Sequence, residues 1–249
     1  MPMSRSNTGS DKPFVFTGTD ELRSADVMHN YNRGITSVFK RGWVRASRGD
    51  RVLDFGAGMG SITEEFFVQT GVRPIALEID KTLADLVRAR GYAVIDTLAD
   101  VSPGTLDLVF SSNVLEHIKD DVALVRQVFS ALRPGGIFAL YVPAFPFLYT
   151  AYDRKIGHER RYTRQELAAK LVAGGFLLLE DSYGDCLGFV AALAYKVLRG
   201  DSQQSPTPGQ LRAYDKMYPL SSLLDHLGMK HLFGKNLAVI ARRPEVQAS

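Results

Sequence analysis

The sequence predicts a doubly wound α/β fold, on three observations. Seven short apolar runs are spread along the chain, most of them parted by segments with helical periodicity. These runs are apolar throughout instead of alternating, the pattern of parallel strands covered on both faces. The first run ends in a cluster of glycines, Gly56, Gly58 and Gly60, ahead of a helical segment. In doubly wound sheets, ligands sit beyond the carboxyl ends of the strands, where this turn falls.

Residues 1–20 are rich in Ser, Thr, Gly, Asp and Pro without any period, and read as a flexible tail. Residues 21–249 are expected to form one domain. Between Glu21 and Arg45 the apolar positions, among them Met28, Tyr31, Ile35, Val38 and Phe39, recur at intervals of three and four. Residues 21–48 therefore read as a helical lead-in that packs beside the first strand and covers the site. Strands are expected at 51–55, 73–78, 92–96, 106–111, 137–142, 176–181 and 236–243, and helices at 60–70, 81–90, 119–132 and 164–173. The LRPGG run at 132–136 reads as a helix stop and turn. Residues 143–163 hold aromatics, two prolines, His158 and the run Arg160-Arg161-Tyr162, a long loop of functional appearance. Residues 184–234 are expected to form a helical insertion before the last strand, an acceptor-side cap. Its stretch 186–198 is almost wholly apolar, and SQQSPTPG follows it as an exposed linker.

Composition narrows the function classes. A net charge of +3, spread along 249 residues, provides no electrostatic footprint for nucleic acid. The lone Cys186 excludes an intrachain disulfide framework and thiolate metal spacings, so no metal is expected. No apolar run approaches the roughly 18 residues of a membrane span, and the opening MPMSRSNTGSDKP lacks a signal-peptide core. A cytoplasmic chain is the expectation, with peripheral membrane contact left open.

Three chemistries use a glycine-rich turn after the first strand of an α/β sheet. A P-loop needs Gly-Lys-Ser/Thr, and here Gly60 is followed by Ser61 with no lysine. A dinucleotide fingerprint needs G-x-G-x-x-G, and Ser61 stands where the last glycine belongs, which weakens the nicotinamide reading and leaves it open. Asp54, two residues before Gly56, would repel a phosphate and suit a cationic ammonium group.

With VLDFGAGMG at 52–60, ALEID at 76–80, LDLVFSSNVLEHI at 106–118 and LRPGG at 132–136, the sequence resembles the class I S-adenosylmethionine-dependent methyltransferases. The resemblance implies a mostly parallel, seven-stranded, Rossmann-like methyltransferase fold. It implies S-adenosyl-L-methionine as cofactor and S-adenosyl-L-homocysteine as product. Asp54 would take the methionine ammonium, with the backbone of Gly56, Ala57 and Gly58 approaching the same part of the ligand. Glu78 and Ile79 would lie at the ribose, Thr97 and Leu98 at the adenine with Asp96 and Asp100 competing for the family's acid there, and Asn113 and Val114 near the sulfonium.

The expected activity is methyl transfer to oxygen, nitrogen or carbon of a small-molecule acceptor by in-line displacement, which demands positioning and, where needed, a proton acceptor. The run DRKIGHERRYT resembles a D-x-x-x-GH-x-RRY element of some bacterial members of that family. His158 could be a general base, since histidine titrates near neutral, or could pin the loop through Asp153 and Glu159. His117 could be a base or a helix-start residue. Tyr149, Tyr152 and Arg161 are candidates for acceptor binding, and the aromatics with segment 186–198 suggest an apolar or lipid-like acceptor, buried core being the competing reading. A nicotinamide-dependent oxidoreductase and a non-catalytic S-adenosylmethionine-binding partner protein remain as alternative functions.

Overall fold

The computed structural model describes residues 26–245; the expected tail, 1–20, and the start of the helical lead-in, 21–25, lie outside the described residues. Helix α1 (His29–Arg45) precedes a regular alternation: β1 (Val52–Phe55), α2 (Ser61–Thr70), β2 (Ile75–Leu77), α3 (Lys81–Ala89), β3 (Val94–Ile95), β4 (Leu106–Ser112), α4 (Asp121–Ala131) and β5 (Leu132–Pro143). The short α5 (Ala151–Lys155) and α6 (Arg164–Ala173) lead to β6 (Leu177–Gly184). Helices α7 (Cys186–Arg199) and α8 (Pro208–His226) then intervene before β7 (Asn236–Arg242).

The seven strands lie in the order β3-β2-β1-β4-β5-β7-β6. The first five are parallel to their neighbours. Strand β7 inserts antiparallel between β5 and β6. The central strands β1 and β4 are apolar along nearly their whole length because helices cover both faces, and Leu53, Leu108, Val109 and Phe110 have no exposed surface. The strand order reverses beside β1, so the carboxyl ends of β1 and β4 open a crevice there.

Helix α1 closes one face. Its three-and-four spacing turns Ile35, Val38 and Phe39 onto the sheet, where Phe39 stacks on Phe110 at 4.8 Å and Phe110 on Phe66 of α2 at 4.9 Å. The opposite face carries a second apolar cluster under α4 and α6, with Leu124, Val128, Leu167 and Leu171 around Phe138 and Phe176.

Two departures from the sequence reading have physical causes. The LRPGG run does not form a free turn: β5 begins at Leu132, which pairs with Leu106 through an irregularity that realigns at Leu108. Gly136 permits this, because a Cβ there would stand 2.8 Å from the Arg133 carbonyl oxygen and 3.0 Å from that of Leu106. The insertion is helical as expected, but the expected linker SQQSPTPG ends sooner, since Pro208 and Gly209 already belong to α8. Thr207 caps α8, its hydroxyl accepting the Gln210 N–H while the Gln210 side chain accepts the Thr207 N–H. Among the described residues no helix is long and apolar enough to cross a membrane.

Because Phe110 is sandwiched between α1 and α2, Phe110→Ala should lower stability by about 3–5 kcal/mol. The shift of the urea midpoint at unchanged slope measures it, and a cost under about 1 kcal/mol would show that the ring stack does not hold α1 to the sheet.

Candidate functional site

The carboxyl ends of β1, β2 and β4 meet the inner faces of α1, the 143–163 loop and the cap around a cavity of about 870 Å³. That volume suits a small-molecule ligand. Asp54, Gly56, Ala57, Gly58, Glu78, Ile79, Thr97, Leu98, Asn113 and Val114 all line it, as do His117, Tyr152, His158 and Arg161. The sequence-predicted residues therefore converge, with one correction. Tyr149 is not among the lining residues; its hydroxyl donates to the His158 carbonyl oxygen at 2.6 Å, which ties the loop to itself. Of the two acids competing after β3, Asp96 lines the cavity and Asp100 does not.

Asp54 ends β1 with 2% of its surface exposed. Thr63 donates to it at 2.6 Å, and among the described residues no cation pairs with it, so burial lifts its pKa from 3.8 to about 7, with the Glu78 charge adding to the rise. Gly56, Gly58 and Gly60 all have positive φ. Gly56 is the most constrained: its N–H donates to the Leu77 carbonyl, and a Cβ would stand 2.4 Å from a Val114 methyl. The turn is thus clamped between the ends of β2 and β4.

Glu78 leaves β2 and accepts the N–H of Gly58 at 2.8 Å on one oxygen and that of Asp80 at 2.9 Å on the other. Each oxygen keeps a lone pair for a ligand hydroxyl. Burial raises its pKa, and the three backbone N–H groups around it limit the rise. Asp80 caps α3 through the N–H groups of Thr82 and Leu83, which fixes the direction in which Glu78 leaves the sheet. Asn113 takes φ 53° and donates its N–H to the Tyr141 carbonyl at 2.8 Å, so the chain turns sharply past β4 at the floor of the cavity.

The 143–163 loop brings a second cluster. Asp153, with no exposed surface, accepts from Thr150, from His158 Nδ1 at 2.9 Å and from Arg161 Nε at 2.9 Å and Nη2 at 3.2 Å. Burial pushes this carboxyl up, but the His158 hydrogen bond and the Arg161 charge outweigh it and hold the pKa at about 2. On its other side His158 Nε2 lies 3.7 Å from Glu116, whose pKa burial raises to about 7 against the pull of His158 and Arg161. His117 stands edge-on to His158, ring centroids 4.7 Å apart, with its Nδ1 3.1 Å from the Gly157 carbonyl oxygen. Burial and the neighbouring His158 lower the His117 pKa to about 4, so its imidazole is neutral at physiological pH. Glu116, His117 and His158 bring donor atoms within 4.8 Å of one another, a set able to take a divalent ion, although no metal was expected from the sequence. Arg160 points away: it pairs with Asp121 at 2.8 Å and donates to the carbonyls of Ile118 and Lys119.

Sequence reasoning missed Glu116, Lys235 and Asn236, and it gave the cap linker no lining role although Ser205 and Pro206 line the cavity. Glu116 sat in view within the VLEHI run. Lys235 and Asn236 open the last strand, where polar residues ordinarily mark only a strand start, and the Gly234 before them was the one local signal of a tight neck.

The methyltransferase-domain family model matches residues 27–181. A curated relative, the ubiquinone biosynthesis O-methyltransferase of Xanthomonas euvesicatoria pv. vesicatoria, is 30% identical over 159 residues, 55% of this chain and 66% of the relative. The protein of the same name from Xanthomonas campestris pv. campestris (strain B100) is 32% identical over 102 residues, 37% of this chain and 42% of the relative. The chain thus matches less than two thirds of the length of these relatives. A solved S-adenosylmethionine-dependent methyltransferase from Archaeoglobus fulgidus has the same fold, with TM-score 0.55 and 16% identity over 84% of this chain and 92% of that one. The geranyl diphosphate C-methyltransferase of Streptomyces coelicolor A3(2) superposes with TM-score 0.58 at 15% identity, covering 84% of this chain and 78% of that one.

The buried acid at the end of β1 has a measurable signature. Its folded pKa, about 7, lies above the 3.8 of an ordinary aspartate, so the folded protein binds the proton more tightly. The stability it contributes is present below the ordinary value and is lost as pH rises through about 7. Asp54→Asn should therefore raise the melting temperature of the ligand-free protein at pH above about 7 and leave it nearly unchanged well below the ordinary aspartate range. Equal melting shifts at both extremes would show that the carboxyl is not strained by its burial.

Proposed function

The chain belongs to the class I S-adenosylmethionine-dependent methyltransferases, and from that membership we propose that it transfers the sulfonium methyl group to an oxygen of a small apolar, lipid-like acceptor. The observation that carries this reading is one cavity with two chemically different ends. Asp54 and Glu78 stand at the first. At the second, α1, the 143–163 loop and the cap enclose room for an acceptor.

S-adenosylmethionine brings its own leaving group, so the protein must bind, align and keep water out. Asp54 would hold the ammonium, which returns its carboxylate to the ionised form that burial alone disfavours. Glu78 would accept from the ribose hydroxyls with its remaining lone pairs, and the glycine turn would let the main chain approach. Asn113 and Val114, past the sharp turn after β4, would wall the reacting centre. A hydroxyl acceptor has a proton to lose, and His117 is placed to receive it. In the tautomer that donates Nδ1–H to the Gly157 carbonyl, its other nitrogen carries the lone pair. His158, held between Asp153 and Glu116, orients the loop and the His117 ring instead. Oxygen as the acceptor atom is supported by the ubiquinone biosynthesis O-methyltransferase relatives.

The cap supports an apolar acceptor. On α7, Val190, Leu193, Val197 and Leu198 form an exposed stripe at helical spacing, and Leu220, Leu223 and Leu227 of α8 expose more apolar surface. The linker residues Ser205 and Pro206 and Leu211 of α8 line the cavity. A peripheral position at a membrane surface would let an acceptor pass from lipid into the site.

Titration with S-adenosylhomocysteine tests the reading without knowledge of the acceptor, since a ligand of the native state raises the melting temperature by mass action. Glu78→Ala should weaken binding by about 1.5–3 kcal/mol. Wild-type affinity should fall as pH drops below about 7, where Asp54 takes up a proton. Stabilisation by NAD with no response to S-adenosylhomocysteine would refute the reading. Once an acceptor is found, His117→Ala should lower kcat by about 10²–10⁴ with little change in S-adenosylhomocysteine affinity. The acid limb of the rate should fall near pH 4, since the neutral ring is the active form.

A further inference from the structure

Two cations at the acceptor end of the cavity, Arg161 and Lys235, keep hydrogen-bonding capacity that the described residues do not use, although Glu116 and Asp185 also act on them electrostatically. Both line the cavity. Asp153, the carboxylate between the loop and this end, is already saturated: its two oxygens accept from Thr150, His158 and two nitrogens of Arg161. The third guanidinium nitrogen of Arg161, Nη1, is buried and has no hydrogen-bond partner. Lys235 has no carboxylate within ion-pair distance among the described residues; its Nζ lies over the rings of Tyr31 and Tyr214, 5.8 Å and 5.3 Å from their centroids.

The backbone sets these two cations on either side of one strand end. Ala144 donates its N–H to the Lys235 carbonyl, while Phe145 donates to the Tyr162 carbonyl and Tyr162 to that of Pro143. Segment 143–145 is thus flanked by the neighbour of Tyr162, Arg161, on one side and by Lys235 on the other. Burial lowers the Lys235 pKa and the Arg161 charge lowers it further, with Asp185 and Asp153 opposing. Two like charges left in a half-enclosed space are costly unless a ligand completes the set.

We propose that the acceptor carries an oxyanion, a carboxylate or a phosphate, and that Lys235 with Arg161 binds it at the end of β5. This rests on the methyltransferase reading for the word acceptor, and on the cavity alone for the anion. The acceptor class becomes an amphiphile, with an apolar body under the cap and an anionic group beside the atom to be methylated. Lysine supplies a mobile point charge, and arginine, pinned by Asp153, supplies a fixed direction.

The test is calorimetric titration of the full chain with benzoate, phenyl phosphate and neutral phenol, with and without S-adenosylhomocysteine. At least one anion is expected to bind about tenfold or more tighter than phenol, and which one distinguishes carboxylate from phosphate. Lys235→Met, which keeps the apolar stem, should abolish that preference, leave S-adenosylhomocysteine affinity unchanged and raise the melting temperature by removing an unpaired cation. Phenol binding as tightly as both anions, or a preference that survives in Lys235→Met, overturns the proposal. Anion preference without any S-adenosylhomocysteine binding would keep the anion site and sink the methyltransferase reading, so the two failures are separable.

Discussion

A carboxylate with no cation beside it among the described residues, shut in near the end of the first strand, is the constraint around which this molecule is arranged. Asp54 is buried with one hydroxyl as hydrogen-bond partner, and in the free protein it is driven toward its neutral form. Such a group persists only where the surroundings hold it open for something positive. The glycine turn does so by keeping side chains away, Val114 does so by filling the space a Cβ at Gly56 would need, and the caps at Asp80 and Thr97 keep the neighbouring strand ends from closing over it. Fold stability and ligand affinity pull in opposite directions at this one residue.

The same logic is repeated with opposite sign across the cavity. There the charges with unused hydrogen-bonding capacity are cations, Arg161 and Lys235, and three of the carboxylates around the loop and cap are spent on internal bonds. Asp153 binds His158 and Arg161, Asp121 binds Arg160, Lys170 and the Tyr162 hydroxyl, and Asp185 binds Tyr214, Ser221 and the N–H of Gly188. Loop 143–163 is therefore cross-tied by its own side chains and to the helix that follows β4. Its histidines differ in role because their partners differ. His158 lies between two acids and acts as a strut, whereas His117 leans on a carbonyl and stays neutral.

Much of the fold was legible because the strands bury both faces, which forces uninterrupted apolar runs and leaves polar residues only at the strand ends. Asp54, Glu78 and Asn113 stand at or next to those ends, so these cavity-lining residues could be picked out from the sequence. Other parts of the lining could not. Tyr149 and Tyr152 are three apart, yet only Tyr152 lines the cavity, because Tyr149 precedes α5 and turns its hydroxyl to the His158 carbonyl, and no local pattern records that. The insertion was expected to be helical, but the bounds of α8 were obscured by its mixed composition and an internal Pro219, and it packs against α7 and α1. Lys235 reaches the site through a strand pairing with Ala144 that spans some ninety residues, a distance over which side-chain periodicity carries no information.

Strand β7 returns antiparallel beside β6, with Gly184 opposite Asn236, so the whole of α7 and α8 leaves and re-enters the sheet through one narrow neck. There the two backbones touch so closely that a Cβ on Gly234 would fall 2.4 Å from the Gly184 carbonyl oxygen. In topological terms the cap is the loop of a β-hairpin, enlarged until it became a lid. Exchange of that loop would remodel the cavity wall formed by Ser205, Pro206 and Leu211 while the strands keep their register. The architecture thus sets a replaceable cassette on a fixed sheet, joined to it at a single hinge.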